Sequence, residues 1–135
     1  MRIAFDIDDT LWKLVKDDNP SRIAGVGAMC SCGVALKQEV DKDLVELAHS
    51  LILDGHEVFL WSLGGVEHAR NWMRRFAPAW ESFVKIIPKE DGQDIDIAFD
   101  DQSDLTIAKT VVVVRREHAN HWEDYLPGNK LGEDA

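Results

Sequence analysis

Five short apolar runs set the frame of this chain: residues 2–5 (RIAF), 57–61 (EVFLW), 83–87 (FVKII), 95–99 (IDIAF) and 111–114 (VVVV). Each is too short for an ordinary helix and rich in the β-branched and aromatic residues that fit a pleated surface, so each reads as a strand. Between the first two lies 40–53, where Val40, Leu44, Leu47, Ala48, Leu51 and Ile52 recur at helical spacing and Gly55 supplies the stop. A second helix over about 66–76 carries Val66, Ala69, Trp72, Met73 and Phe76 on one face, and Pro78 limits its extension. Strands alternating with helices, and strands apolar almost throughout, are the pattern of a parallel sheet covered by helices. The expected class is α/β with a five-stranded parallel sheet. Segment 12–39 breaks that rhythm, with Asn19-Pro20 and then Gly25, Gly27 and Gly33 around Cys30 and Cys32. It reads as a flap, a loop or small hairpin over one end of the sheet.

At 135 residues one domain is the natural count. Its expected extent is 1–126, with 12–39 as an insert and 127–135, rich in Pro, Gly and charge, as a flexible tail. The 25 Asp and Glu against 15 Lys and Arg give a formal charge of −10, which repels phosphate backbones and anionic lipid surfaces. Nonspecific nucleic-acid binding and membrane attachment are therefore disfavoured. No stretch approaches the ~20 apolar residues that span a bilayer, and Met1-Arg2 is not followed by a long apolar leader. The expected location is the cytoplasm. Cys30 and Cys32, separated only by Ser31, make neither a disulfide framework nor a four-ligand zinc set, and read as ordinary flap residues.

The chemistry gathers at strand ends. The first strand runs into Asp6-Ile7-Asp8-Asp9-Thr10, and the fourth into Asp100-Asp101 with Asp104 close behind. Ligands of parallel α/β sheets bind beyond the carboxyl ends of the strands. Two acidic clusters brought together there repel one another unless a cation lies between them, and a hard divalent ion with oxygen ligands, most simply magnesium, resolves the conflict. Ser62 follows the second strand and Lys89 the third, adding a hydroxyl donor and an ammonium, which together describe a phosphate pocket. Asp6 is then placed to attack phosphorus. Asp8 is placed to protonate the leaving oxygen and later to take a proton from water.

These residues resemble the motifs of the haloacid dehalogenase superfamily. Its first motif, an apolar strand ending in Asp-x-Asp-x-Thr, matches IAFDIDDTL at 3–11; the second, a strand ending in Ser or Thr, matches Ser62. The third, a Lys, matches Lys89, and the fourth, an apolar strand ending in two acids with another nearby, matches IAFDDQSD at 97–104. The resemblance spans residues 3–104. It implies a Rossmann-like domain with sheet order 5-4-1-2-3 and a magnesium-dependent phosphomonoesterase. It also implies Asp6 as nucleophile and metal ligand, and Asp8 as acid/base that binds metal through its backbone carbonyl. Asp100 or Asp101 would complete the metal ligands, with Thr10 and Asp104 behind them. The acid two positions after the nucleophile marks the phosphatase branch, and TLW at 10–12 is similar to the small magnesium-dependent phosphatases of the superfamily. No cap domain fits within 12–39. An uncapped site implies a bulky phosphorylated substrate, such as a phosphoprotein or polynucleotide end, or closure by a second copy in a homo-oligomer; small phosphorylated molecules remain a further substrate class.

In that order the third strand must return across three inter-strand gaps, about 14 Å, and the eight residues 88–95 reach up to about 26 Å. The crossing is permitted with little room for a helix. Lys85 rivals Lys89 for the phosphate, but strand alternation points it to a different face from its neighbours. His118 and His121 lie three apart without a third zinc ligand in view, and His49, His56 and His68 read as helix or turn surface. Arg70, Arg74 and Arg75 read as a solvated helix face, Trp61 as core, and Trp12 as a residue at the pocket mouth. Two alternatives to a phosphatase of small molecules or phosphoproteins stand beside it. One is a noncatalytic phosphate- or partner-binding module, which has no need of Asp8. The other is a nucleic-acid end-processing phosphatase, which requires Arg70, Arg74, Arg75, Arg115 and Arg116 to form one basic surface beside Asp6.

Overall fold

The computed structural model describes residues 1–17, 28–29, 35–90, 93–102 and 107–117. In chain order the elements are β1 (Arg2–Asp6), β2 (Trp12–Lys16), β3 (Ala28–Met29), β4 (Ala35–Val40), α1 (Lys42–Leu53), β5 (Glu57–Trp61) and α2 (Val66–Phe76). A short 3-10 helix (Pro78–Ser82), β6 (Val84–Ile86), β7 (Ile95–Asp100) and β8 (Ala108–Val113) follow.

Five strands form an all-parallel sheet in the order β6-β5-β1-β7-β8. Numbered among themselves along the chain, they stand 5-4-1-2-3 from the β8 edge; the three strands of the insert account for the different whole-chain numbers. β1 is central, and Ile3, Ala4 and Phe5 are fully buried. On one face Ile3, Phe5, Val58 and Leu60 pack with Ala48 of α1 and with Ala69, Trp72 and Met73 of α2. The ring of Phe5 stacks on Phe99 with centroids 4.7 Å apart. Burial of an aromatic or aliphatic side chain of this size contributes about 1.5–3 kcal/mol, so Phe5→Ala at the sheet centre would remove a principal contact of both β1 and β7. Ala4, Phe59, Trp61 and Ala98 form the core of the opposite face.

Helix boundaries follow local chemistry. The Asp41 side chain accepts a bond from the Leu44 amide at 3.0 Å and caps α1, and Gly55, with φ of 87°, takes the left-handed turn after its end. Arg74 and Arg75 lie in the last turn of α2, where positive charge complements the helix dipole. Two strands differ from the apolar runs. β8 begins at Ala108, three residues before the valines, because pairing with β7 extends from Ile95↔Ala108 to Asp100↔Val113. β6 is only Val84–Ile86: Phe83 closes the 3-10 helix through its amide to the Trp80 carbonyl at 2.8 Å and stays exposed. The described residues between β6 and β7 form no helix.

The described residues of the insert hold three strands where a loop or small hairpin is expected. β2, β4 and β3 form an antiparallel sheet in that order, with β2 and β4 in register from Trp12↔Val40 to Lys16↔Leu36. Trp12 and Leu14 are buried and alternate with more exposed neighbours, the signature of a half-buried strand. Arg116, following β8, ties this region down: it donates to the Asp9 carbonyl at 3.0 Å, to the Thr10 carbonyl at 2.7 Å and to Asp41 Oδ2 at 2.6 Å. Among the described residues no helix is long and apolar enough to cross a membrane. Cys30, Cys32, Asp104, His118, His121 and the 127–135 segment lie outside the described residues.

Candidate active site

β1 delivers Asp6 to the carboxyl edge of the sheet, and the chain then turns tightly around one carbonyl. The amides of Thr10, Leu11 and Trp12 all approach the Ile7 oxygen, at 3.1, 3.0 and 3.3 Å. Asp9 carries the turn with φ of 65°, a left-handed conformation that non-glycine residues seldom adopt. The cost is offset by the two carbonyl bonds from Arg116 to residues 9 and 10. Thr10, fully buried, donates its hydroxyl to Asp6 Oδ2 at 3.3 Å.

Asp6 Oδ1 accepts from Lys89 Nζ at 3.3 Å, and the same ammonium lies 2.7 Å from Asp100 Oδ2. Lys89 is 2 % exposed, whereas Lys85 is 72 % exposed and pairs with Glu57 on the outside of the sheet. Asp6, Asp100 and Asp101 each offer an oxygen within 4.8 Å of the others. Three carboxylates thus face one ammonium. Burial first, then the Asp100 charge, push the Asp6 carboxyl well above its ordinary range, and Lys89 only partly counters them. Asp101 is also raised, chiefly by burial and the nearby Asp100 and Asp9 charges, against a bond with Asp6 that lowers it.

A divalent cation fits this donor set on two grounds. It would neutralise the excess of two negative charges, and it would meet an oxygen that has no hydrogen bond. Asp100 Oδ1 accepts from the Gln102 amide at 3.0 Å, but Oδ2 is buried and its contact with Lys89 lies off the hydrogen-bonding direction. All-oxygen donors suit a hard ion.

Beside these groups is a cleft of about 170 Å³, lined by Asp6, Asp8, Ser62, Lys89 and Asp101 and completed by Leu63, Gly64 and Gln102. Ser62 Oγ accepts from the Gly64 amide at 3.0 Å, which uses a lone pair and leaves the hydroxyl proton available to donate. Asp8 is not one of the three clustered acids. Its Oδ1 is met by Trp12 Nε1 at 2.7 Å and by His68 Nε2 at 3.1 Å.

The structure therefore brings Asp6, Asp8, Ser62, Lys89 and Asp101 to one cleft, with Asp100 and Thr10 directly behind Asp6. His68 is not a surface residue as its helix position suggested: it is half-buried against Asp8. Gly64 leaves room for the ring, since a Cβ there would lie 3.2 Å from His68 Cδ2, a contact that helical spacing does not announce. Comparison with models of protein families, with curated proteins and with solved structures finds no match.

Proposed function

We propose that this protein is a magnesium-dependent phosphomonoester hydrolase working through an aspartyl-phosphate on Asp6. The observation that supports it most is the meeting of Asp6, Lys89, Asp100 and Asp101 at one strand edge, open to a cleft that also holds Ser62 and Asp8. The four motifs shared with the haloacid dehalogenase superfamily support the same reading. When bound, a divalent cation held by Asp6, Asp100 and Asp101 offsets their charge and polarises phosphoryl oxygens.

The chain's own residues divide the rest. Lys89 and the Ser62 hydroxyl bind the phosphoryl oxygens and stabilise the charge that builds on them in the transition state. Thr10 and Lys89 hold the Asp6 carboxylate from both sides, so that one oxygen is presented to phosphorus. The new Asp6–phosphorus bond forms as the bond to the substrate oxygen breaks, and Asp8 protonates that oxygen. Water then attacks phosphorus, Asp8 takes its proton, and Asp6 departs as a carboxylate with inorganic phosphate released.

Arg116 is only 12 % exposed and is spent on Asp41 and two backbone carbonyls, so the five arginines do not form one open basic surface. A phosphorylated small molecule or phosphoprotein is therefore preferred over a polynucleotide end. Asp6→Asn should lower hydrolysis of 4-nitrophenyl phosphate by about three orders of magnitude or more, and EDTA should abolish it reversibly. Turnover by Asp6→Asn equal to that of the parent protein would overturn the proposal.

A further inference from the structure

Asp8 is held by two side chains from two different elements, and both bonds fall on the same oxygen. Trp12 Nε1 lies 2.7 Å from Asp8 Oδ1, and an indole N–H can only donate, so Oδ1 is an acceptor. His68 Nε2 approaches the same oxygen at 3.1 Å. Because Oδ1 already accepts from the indole, the ring is assigned as the Nε2–H tautomer, with His68 as the second donor.

From this geometry we infer that His68 and Trp12 are positioning residues that reserve Asp8 Oδ1 and leave Oδ2 to carry the proton passed to the leaving oxygen. The inference rests on the phosphomonoesterase reading above. A carboxyl group turns easily about its last torsion, so an Asp8 without these donors would present either oxygen to the substrate and lose alignment at the moment of proton transfer. The two donors are themselves anchored. Trp12 is buried and packs on Phe76 at 5.3 Å between ring centroids. The His68 ring sits where Gly64 has no side chain: a Cβ there would lie 3.2 Å from its Cγ and Cδ2 and 3.3 Å from Ser62 Oγ. The loop that presents the phosphate-binding hydroxyl thus also shapes the seat of the histidine.

The test is the dependence on leaving group. kcat/KM reports the steps through phosphoryl transfer to Asp6. 4-Nitrophenolate departs without a proton, whereas the alkoxide of benzyl phosphate needs one. His68→Ala should lower kcat/KM for benzyl phosphate about tenfold more than for 4-nitrophenyl phosphate. His68→Gln, whose side-chain amide offers a donor at similar reach, should recover most of that difference, and Trp12→Phe should reproduce it. A purely structural role would lower both substrates equally. Equal losses, or none, in His68→Ala and Trp12→Phe would overturn the inference while leaving the phosphatase reading intact. If His68→Ala does not melt cooperatively, Trp12→Phe and His68→Gln decide. Failure of the parent protein to hydrolyse either ester overturns the phosphatase reading and this inference with it.

Discussion

Lys89 is the residue on which the stability and the chemistry of the site both turn. Its ammonium is buried between Asp6 and Asp100, and removing one member of such a group leaves the others charged and uncompensated, at a cost of about 3–5 kcal/mol. Lys89→Met should therefore abolish turnover and, in divalent-free buffer, lower the free energy of unfolding in urea by about that amount at pH 7. The loss should shrink toward pH 4, because Asp6 has a raised value in the fold. Its contribution is fully present below the ordinary carboxylate value of 3.8 and is lost as pH rises through the raised one. An unfolding difference independent of pH would count against a coupled cluster. Strand alternation and the place of Lys89 at a strand end both favour Lys89 over Lys85, and in the structure Lys85 points out to solvent beside Glu57. The role of His68 was not: helical periodicity says which residues share a face, but the rotation of α2 against β1 depends on how residues 62–65 leave β5.

Among the elements, the start of α1 is bound to the site by a clamp that no local pattern announces. Burial pushes the Asp41 carboxyl up, but the Leu44 amide and Arg116 outweigh it and hold the group below its ordinary value. A carboxyl lowered in the fold contributes stability above 3.8 that is lost as pH falls through the depressed value. Asp41→Asn should accordingly flatten the acid limb of a melting curve measured from pH 5 to pH 2. Arg116→Ala removes three hydrogen bonds from a charged donor and should destabilise the fold by about 2 kcal/mol or more. Because two of those bonds hold the carbonyls of Asp9 and Thr10, activity should fall with stability. The sheet of the insert is hidden from local pattern for the same reason. β2 and β4 each alternate in burial, but antiparallel pairing joins Trp12 to Val40 across a stretch whose glycines and proline advertise only turns. The strands and helices of the parallel sheet were legible because each declares itself within its own residues, whereas this pairing lies between distant ones.

For the molecule as a whole, the formal charge of −10 is partly a concentration of buried acid at one edge of the sheet. Without an ion, Asp6 and Asp101 hold their protons more tightly in the fold than in the unfolded chain, so the stability they contribute lies at low pH and is lost as pH rises through their raised values. A cation binds the ionised groups. Saturating magnesium should thus raise the melting temperature by several degrees, since a ligand at one hundred times its Kd contributes about 2.7 kcal/mol, and the rise should be larger at pH 7.5 than at pH 5. Asp100→Asn should show little of it. An unchanged melt at both pH values would count against the metal site. The order of the parallel sheet around β1 is what makes these predictions local: it puts the ends of β1, β5 and β7 side by side, so carboxylates about a hundred residues apart lie close enough to hold one cation between them. The row of rings behind the cleft has an optical consequence. Trp12, bonded to Asp8, is followed by Phe76, Trp72 and Trp80 with centroids 5.3, 5.6 and 6.0 Å apart. Excitation along that row passes toward an indole hydrogen-bonded to Asp8, so the intrinsic fluorescence should shift when the charge on Asp8 changes.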